Sequence, residues 1–210
     1  MAAARPTIAV ADLGSGNLRS VAKAVEAAGG AAVVSSDPDL VARADKLVVP
    51  GQGAFGGCAA GLDRGGGELR QAVIAAIDGG RPYFGICIGL QLLFEGSDED
   101  PSCPGLAIMP GRVRKFAPVP GLKIPHMGWN QTRRGPARTG LVPDGDEAGY
   151  FYFVHSYYPE PARAQDVALT SEHGVRFCAA VARDNVFACQ FHPEKSQAAG
   201  LALLRRFVSG

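Results

Sequence analysis

A chain of 210 residues with 47% hydrophobic and 20% charged side chains carries enough apolar surface for one sizeable core, and a single domain over 1–210 is the expectation. Its 21 basic and 20 acidic residues leave a net charge of +1, and no stretch reaches the roughly 20 apolar residues of a bilayer span, so neither nucleic acid nor membrane is an expected partner. The five cysteines (Cys58, Cys87, Cys103, Cys178, Cys189) are odd in number and lack a CxxC pair, so neither a disulfide framework nor a zinc ribbon is indicated, and reduced thiols in the cytoplasm fit best.

The apolar run in MAAARPTIAVADLG is too short for a secretory signal. TIAVA (Thr7–Ala11) reads as a short buried strand ending in a glycine turn. From Asn17 to Ala28, Leu18, Val21, Ala22, Val25 and Ala28 recur at helical spacing, and Gly29-Gly30 stop the helix. AAVVSS is a second strand and KLVVPGQG a third, closing on a Pro-Gly turn; a glycine-rich loop and a helix over Glu68 to Ile77 follow. RPYFGICIGLQLLFEG starts as a strand, Pro82–Ile86, and continues as a helix, Ile88 to Phe94. Apolar strands alternating with helices predict an α/β fold, an open, mostly parallel, flavodoxin-like sheet flanked by helices. Beyond about residue 110, RVRKF, YFYFVHSYY, DVALTSE, RFCAAVARD and VFACQFHP predict an antiparallel extension in the C-terminal half. RRGPARTGLVPDGDEAG is the most loop-like segment, and SQAAGLALLRRFVS closes the chain as an amphipathic helix.

Open parallel sheets bind ligands beyond the carboxyl ends of their strands. Three loops fall there: Gly14–Asn17, Pro50–Gly53 and Cys87 itself. Cys87 follows an apolar strand and opens a helix in a Gly-x-Cys-x-Gly pattern, Gly85 and Gly89 flanking it, which is the form of a nucleophile elbow. The glycines leave room for a sharp turn, and the helix start offers N–H groups to a thiolate and to an oxyanion. A cysteine at a strand–helix junction is also ordinary packing, and an active thiol needs a base.

QFHPEKS supplies one. His192 follows the strand Val186–Phe191, and Glu194 can fold back to fix its tautomer, leaving the other ring nitrogen free for the Cys87 proton. The plain alternative is a surface loop with a solvated Glu194–Lys195 pair. The rival bases are weaker: His126 sits in a Pro-Met-Gly turn, His173 in a hairpin turn, and His155 ends an aromatic strand without a nearby carboxylate. For an oxyanion, Ile88 N–H is the natural first donor, and Gln52–Gly53 in PGQG could bring a second, or PGQG is simply a tight turn.

Together PGQGAFG, GICIGLQLLFEGS and QFHPEKS resemble the class I (triad) glutamine amidotransferases, over essentially residues 7 to 207. The resemblance implies hydrolysis of L-glutamine, with Cys87 as nucleophile, His192 as general base and acid, and Glu194 as orienting carboxylate. It places the substrate against Gly51, Gln52, Gly53, Gln91, Glu99 and the Ser156–Tyr157 backbone. DLGSGNLRS, PHMGWN and YFVHSYY are similar to the members that feed ammonia to a separate (β/α)₈-barrel cyclase in histidine biosynthesis. That likeness puts Asn17, Trp129, Tyr152 and Lys195 at the cyclase interface or the ammonia exit of a heterodimer. Each also has a bland reading: a helix cap, core packing, a sheet residue and a solvated charge. Gln52 stands where the family favours a small aliphatic residue. No metal or organic cofactor is expected, because a thiolate and amide donors supply the chemistry. A cysteine hydrolase or peptidase on the same architecture, and an idle flavodoxin-like binding module, are the competing classes.

Overall fold

The computed structural model describes residues 5–143 and 145–210. The first half alternates strands and helices: β1 (Thr7–Ala11), α1 (Leu18–Ala27), β2 (Ala31–Ser35), α2 (Pro38–Arg43), β3 (Lys46–Gly51), α3 (Phe55–Leu62), α4 (Glu68–Asp78), β4 (Tyr83–Cys87) and α5 (Ile88–Gln91). The second half is mostly strand: β5 (Gly111–Lys115), β6 (His126–Arg134), β7 (Glu147–His155), β8 (Tyr157–Pro161), β9 (Val167–Glu172), β10 (Arg176–Arg183) and β11 (Val186–Cys189), closed by α6 (Gln197–Ser209).

One nine-stranded sheet runs β2-β1-β3-β4-β11-β10-β9-β6-β7, and β5 pairs with β8 in a small second sheet. The strands from β2 to β11 are parallel, and those from β11 to β7 antiparallel, so the mostly parallel sheet with an antiparallel extension is found as expected. The C-terminal ends of β3, β4 and β11 lie side by side, because Gly51 pairs with Cys87 and Cys189 with Ile86. The far strand β7 returns to this edge: Tyr152 O accepts from His192 N at 2.9 Å, and Tyr152 N donates to Ser196 Oγ at 3.0 Å. Among the described residues, no helix is long and apolar enough to cross a membrane.

Several sequence expectations are corrected. The glycine-rich stretch after β3 contains a helix, α3, and its glycine serves packing: a Cβ at Gly61 would overlap Leu13 O. Helix α2 went unpredicted despite its start signal, an Asp37 cap accepting from Asp39 N at 2.9 Å with Pro38 at the first position. The helix expected over Ile88 to Phe94 ends after Gln91, because the next carbonyls are taken by a neighbouring loop. Leu92 O accepts from Leu106 N at 2.7 Å and Leu93 O from Met109 N at 2.9 Å. His126 is not in a turn but opens β6, opposite His155. The aromatic run YFYFVHSYY breaks at Ser156 between β7 and β8, and the loop-like stretch 133–149 ends within β7; Asp144 lies outside the described residues.

The core holds Leu47, Phe84, Phe94, Phe153 and Phe191, all fully buried. Lys46 is buried with them and caps α6, its Nζ donating to Phe207 O at 2.7 Å and Val208 O at 3.0 Å. These are carbonyls of the last helical turn, which have no partner within the helix.

Candidate active site

Cys87 is the last residue of β4 and has φ 55° and ψ −105°, a left-handed strand-to-helix turn unusual for any residue but glycine. Both flanking glycines are required by the packing. A Cβ at Gly85 would lie 2.7 Å from Gly89 O and 2.8 Å from the Ala188 methyl, and one at Gly89 would overlap Val49 O. The buried Tyr83 hydroxyl donates to Gly89 O at 2.7 Å and pins the short helix that follows. With only one turn, α5 carries little of the dipole that a longer helix would direct at the sulfur.

Three residues beyond β11, His192 Nδ1 sits 2.8 Å from Glu194 Oε1, with both side chains 1% exposed. The Pro193–Lys195 turn folds the carboxylate back onto the ring, and Ser196 Oγ donates to His192 O at 2.6 Å. Burial by itself would lower the His192 pKa; the Cys87 thiolate and the Glu194 carboxylate beside the ring outweigh it and raise it to about 10. With Nδ1 held by Glu194, His192 Nε2 is the ring atom left for Cys87, and it is buried with no hydrogen-bond partner among the described residues. The arrangement can therefore hold a thiolate–imidazolium pair and pass a proton between sulfur and a leaving group.

Cys87 and His192 face a cavity of about 400 Å³, a size suited to a small metabolite. Gln52, Gly53, Gln91, Glu99, Ser156, Tyr157 and Lys195 also line it.

Residues 9–209 match the family described as "Glutamine amidotransferase class-I". The chain belongs to that family. Among its relatives, the "Imidazole glycerol phosphate synthase subunit HisH" of Syntrophotalea carbinolica is 50% identical over 211 residues, covering 95% of this chain and 98% of the other. The protein of the same name in Geobacter metallireducens is 48% identical over 209 residues, covering 96% and 97%. Among solved structures, a crystal structure of a glutamine amidotransferase superposes with a TM-score of 0.70 at 21% identity, covering 96% and 97%, and so shares the fold.

In this amidotransferase the other expected site residues fall as follows. Glu99 Oε2 accepts from Phe55 N at 2.7 Å, which ties the carboxylate to the start of α3 while it lines the cavity. Gln91 donates from Nε2 to Tyr157 O at 3.1 Å, and its Oε1 is buried without a partner among the described residues. Tyr157 O also faces His155 Nδ1 at 2.9 Å, so both its lone pairs are engaged within the protein. Gly51 packs against Ile88 and Cys58 and leaves no room for a side chain. Gly53 has φ +89°, and the Gln52 carbonyl takes a contact from Cys58 Sγ at 3.6 Å, so the trans peptide turns Gly53 N–H the opposite way. Ile88 opens α5, where N–H groups have no partner within the helix.

Asn17 is an exposed cap of α1, its side chain accepting from Ser20 N at 3.4 Å. Trp129 is not core: it is 48% exposed, opposite Tyr152 in the β6–β7 pair with ring centroids 6.3 Å apart. Lys195 Nζ lies 5.9 Å from the Tyr152 ring centre. Met127 and Tyr150 are exposed nearby on the same two strands, so an aromatic patch borders the cavity.

Two features were not read from the sequence. One is Gln190, fully buried with Nε2 3.5 Å from Cys87 Sγ. The other is a buried histidine pair, His126 Nδ1 to His155 Nε2 at 2.9 Å. The signal for Gln190 was available, as an amide directly beyond an otherwise apolar strand and two positions before His192.

Proposed function

We propose that this amidotransferase is the glutaminase subunit of an imidazole glycerol phosphate synthase, acting as one unit over 1–210 in the reducing cytoplasm. Cys87 Sγ attacks the carboxamide carbon of L-glutamine, and the oxyanion forms against Ile88 N–H and an amide of Gln52–Gly53. His192 then gives its Nε2 proton to the departing ammonia. Water, deprotonated by the same nitrogen, hydrolyses the thioester to glutamate and frees the thiolate. Glu194 keeps His192 in the orientation that serves both steps. The Glu99 carboxylate has the charge to meet the substrate ammonium, and Gln91, which lines the same cavity, keeps Oε1 as an acceptor unpaired among the described residues.

The ammonia passes to a cyclase subunit of (β/α)₈-barrel fold, which combines it with a phosphoribulosyl aminoimidazole substrate to make imidazole glycerol phosphate and an aminoimidazole carboxamide ribotide. The names of the relatives support that assignment, as does the exposed patch of Trp129, Tyr152 and Lys195 beside the cavity, with Asn17 at the neighbouring strand end. The reading rests on one observation above all: the His192 ring lies between Cys87 and Glu194, with Nδ1 held by the carboxylate. The test is ammonia release from glutamine with and without a purified barrel cyclase. Stimulation by the cyclase is expected; an isolated chain at full rate that ignores the cyclase would overturn the assignment.

A further inference from the structure

The two ends of an amide are chemical opposites, so the effect of Gln190 on the sulfur depends on which end faces it. That orientation follows from a backbone carbonyl. Tyr157 O can only accept, so Gln91, 3.1 Å away, must turn its NH₂ group toward it. The second N–H of the same group points at Gln190, also 3.1 Å away, and requires an acceptor there. Gln190 therefore gives Oε1 to Gln91 and keeps its own NH₂ for Cys87 Sγ, at 3.5 Å.

The other side of the carbonyl is fixed in the same way. His155 Nδ1 donates to Tyr157 O at 2.9 Å, so its Nε2 accepts from His126 Nδ1 at 2.9 Å. His126 Nε2 in turn accepts from Asn130 Nδ2 at 3.1 Å. Turning the Gln190 amide over would set a buried acceptor against the sulfur and two buried donors against each other, a costly arrangement.

We infer that Gln190 is a dedicated hydrogen-bond donor to the Cys87 thiolate, locked in the donating orientation by Gln91 and the Tyr157 carbonyl. The inference rests on the reading of Cys87 as the nucleophile. It answers a need that the fold leaves open, since the single turn of α5 offers little dipole and His192 approaches as one partner only. A donor held within the core stabilises the charged form of the thiol over the neutral one and fixes the direction of the sulfur. It also couples two residues of the cavity wall, because the Gln91 amide whose Oε1 stays unpaired among the described residues is the one that turns Gln190 toward the sulfur.

The experiment measures iodoacetamide alkylation of Cys87 in the full chain across pH, read by peptide mass spectrometry without glutamine or partner. Gln190→Leu removes the donor. Gln190→Glu keeps the shape and the bond from Gln91 but turns a carboxylate oxygen to the sulfur, and it carries the test if the leucine variant does not fold. A hydrogen bond to a charged group predicts about a tenfold loss of rate near pH 6 in Gln190→Leu and a larger loss in Gln190→Glu, with rates converging near pH 10. Profiles that match the parent, or that fall equally at every pH, overturn the inference. Ammonia release from glutamine by the parent chain with cyclase present separates the two claims: parent activity with unchanged variant profiles refutes the role of Gln190 alone, whereas altered profiles with an inactive parent refute the glutaminase reading and leave the donor standing.

Discussion

Lowering the pH from 7.5 to 5 should destabilise this protein through two buried histidines. Burial, with His173 nearby, lowers the His126 pKa to about 4. Burial likewise lowers His155 to about 3, against the smaller opposing effect of its bond to the Tyr157 carbonyl. In the unfolded chain both have the ordinary value near 6.5, so between about pH 6.5 and 4 the unfolded state binds protons that the native state refuses. Stability therefore falls as the pH drops. At pH 5 each histidine costs about 2 kcal/mol, or about 4 kcal/mol for the pair, a large share of the roughly 5–15 kcal/mol a domain possesses. His192 works in the other direction: its raised pKa contributes stability fully present below about 6.5 and lost as the pH rises through about 10. It is flat where the pair acts, and stability should peak near neutrality. Urea unfolding at several pH values gives the slope directly, close to two protons per molecule between pH 6 and 5. In the double variant His126→Leu, His155→Leu, that slope should vanish. A parent whose stability stays level down to pH 5 would refute the burial of neutral rings.

Three further outcomes follow from the geometry. Gly89→Ala drives a methyl group into Val49 O and should cost more than 4 kcal/mol or prevent folding, read as lost soluble yield or a collapsed thermal midpoint. Glu194→Gln should keep the ring in place but lower glutamine turnover in the complex by roughly 10²–10⁴-fold, with circular dichroism unchanged. Trp129→Ala should leave the stability of the isolated chain and its Cys87 alkylation intact while weakening cyclase binding by about 1–3 kcal/mol, measured by calorimetry.

Much of this molecule was legible in its sequence because local pattern and global fold agree. The strand–helix alternation placed Gly51, Cys87 and His192 at one edge, and glycines at 85 and 89 announced a turn that only they can make. The failures share a cause. The segment 92–95 has helical composition, but the 105–109 loop takes its carbonyls, a tertiary demand that no window of sequence contains. The glycines of α3 suggested a loop, whereas Gly61 serves close packing of the helix against Leu13. Gln190, His126 and His155 are distant in sequence from Cys87 and from one another, and β-pairing brings them into one hydrogen-bonded series. Trp129 was open between core and surface, and only the sheet register showed it outward beside Tyr152.

Burial pushes the thiols of Cys58, Cys178 and Cys189 up, Cys178 to about 12, so each is a poor nucleophile. Cys103 is raised as well, by burial and by Asp100. The most direct measurement is therefore labelling with a glutamine-like chloroketone followed by peptide mass spectrometry. A single adduct on Cys87, suppressed by excess glutamine and abolished in His192→Ala, is the expected result. Label on another cysteine, or none while the protein is folded and bound to its cyclase, would contradict the assignment of Cys87 as the nucleophile.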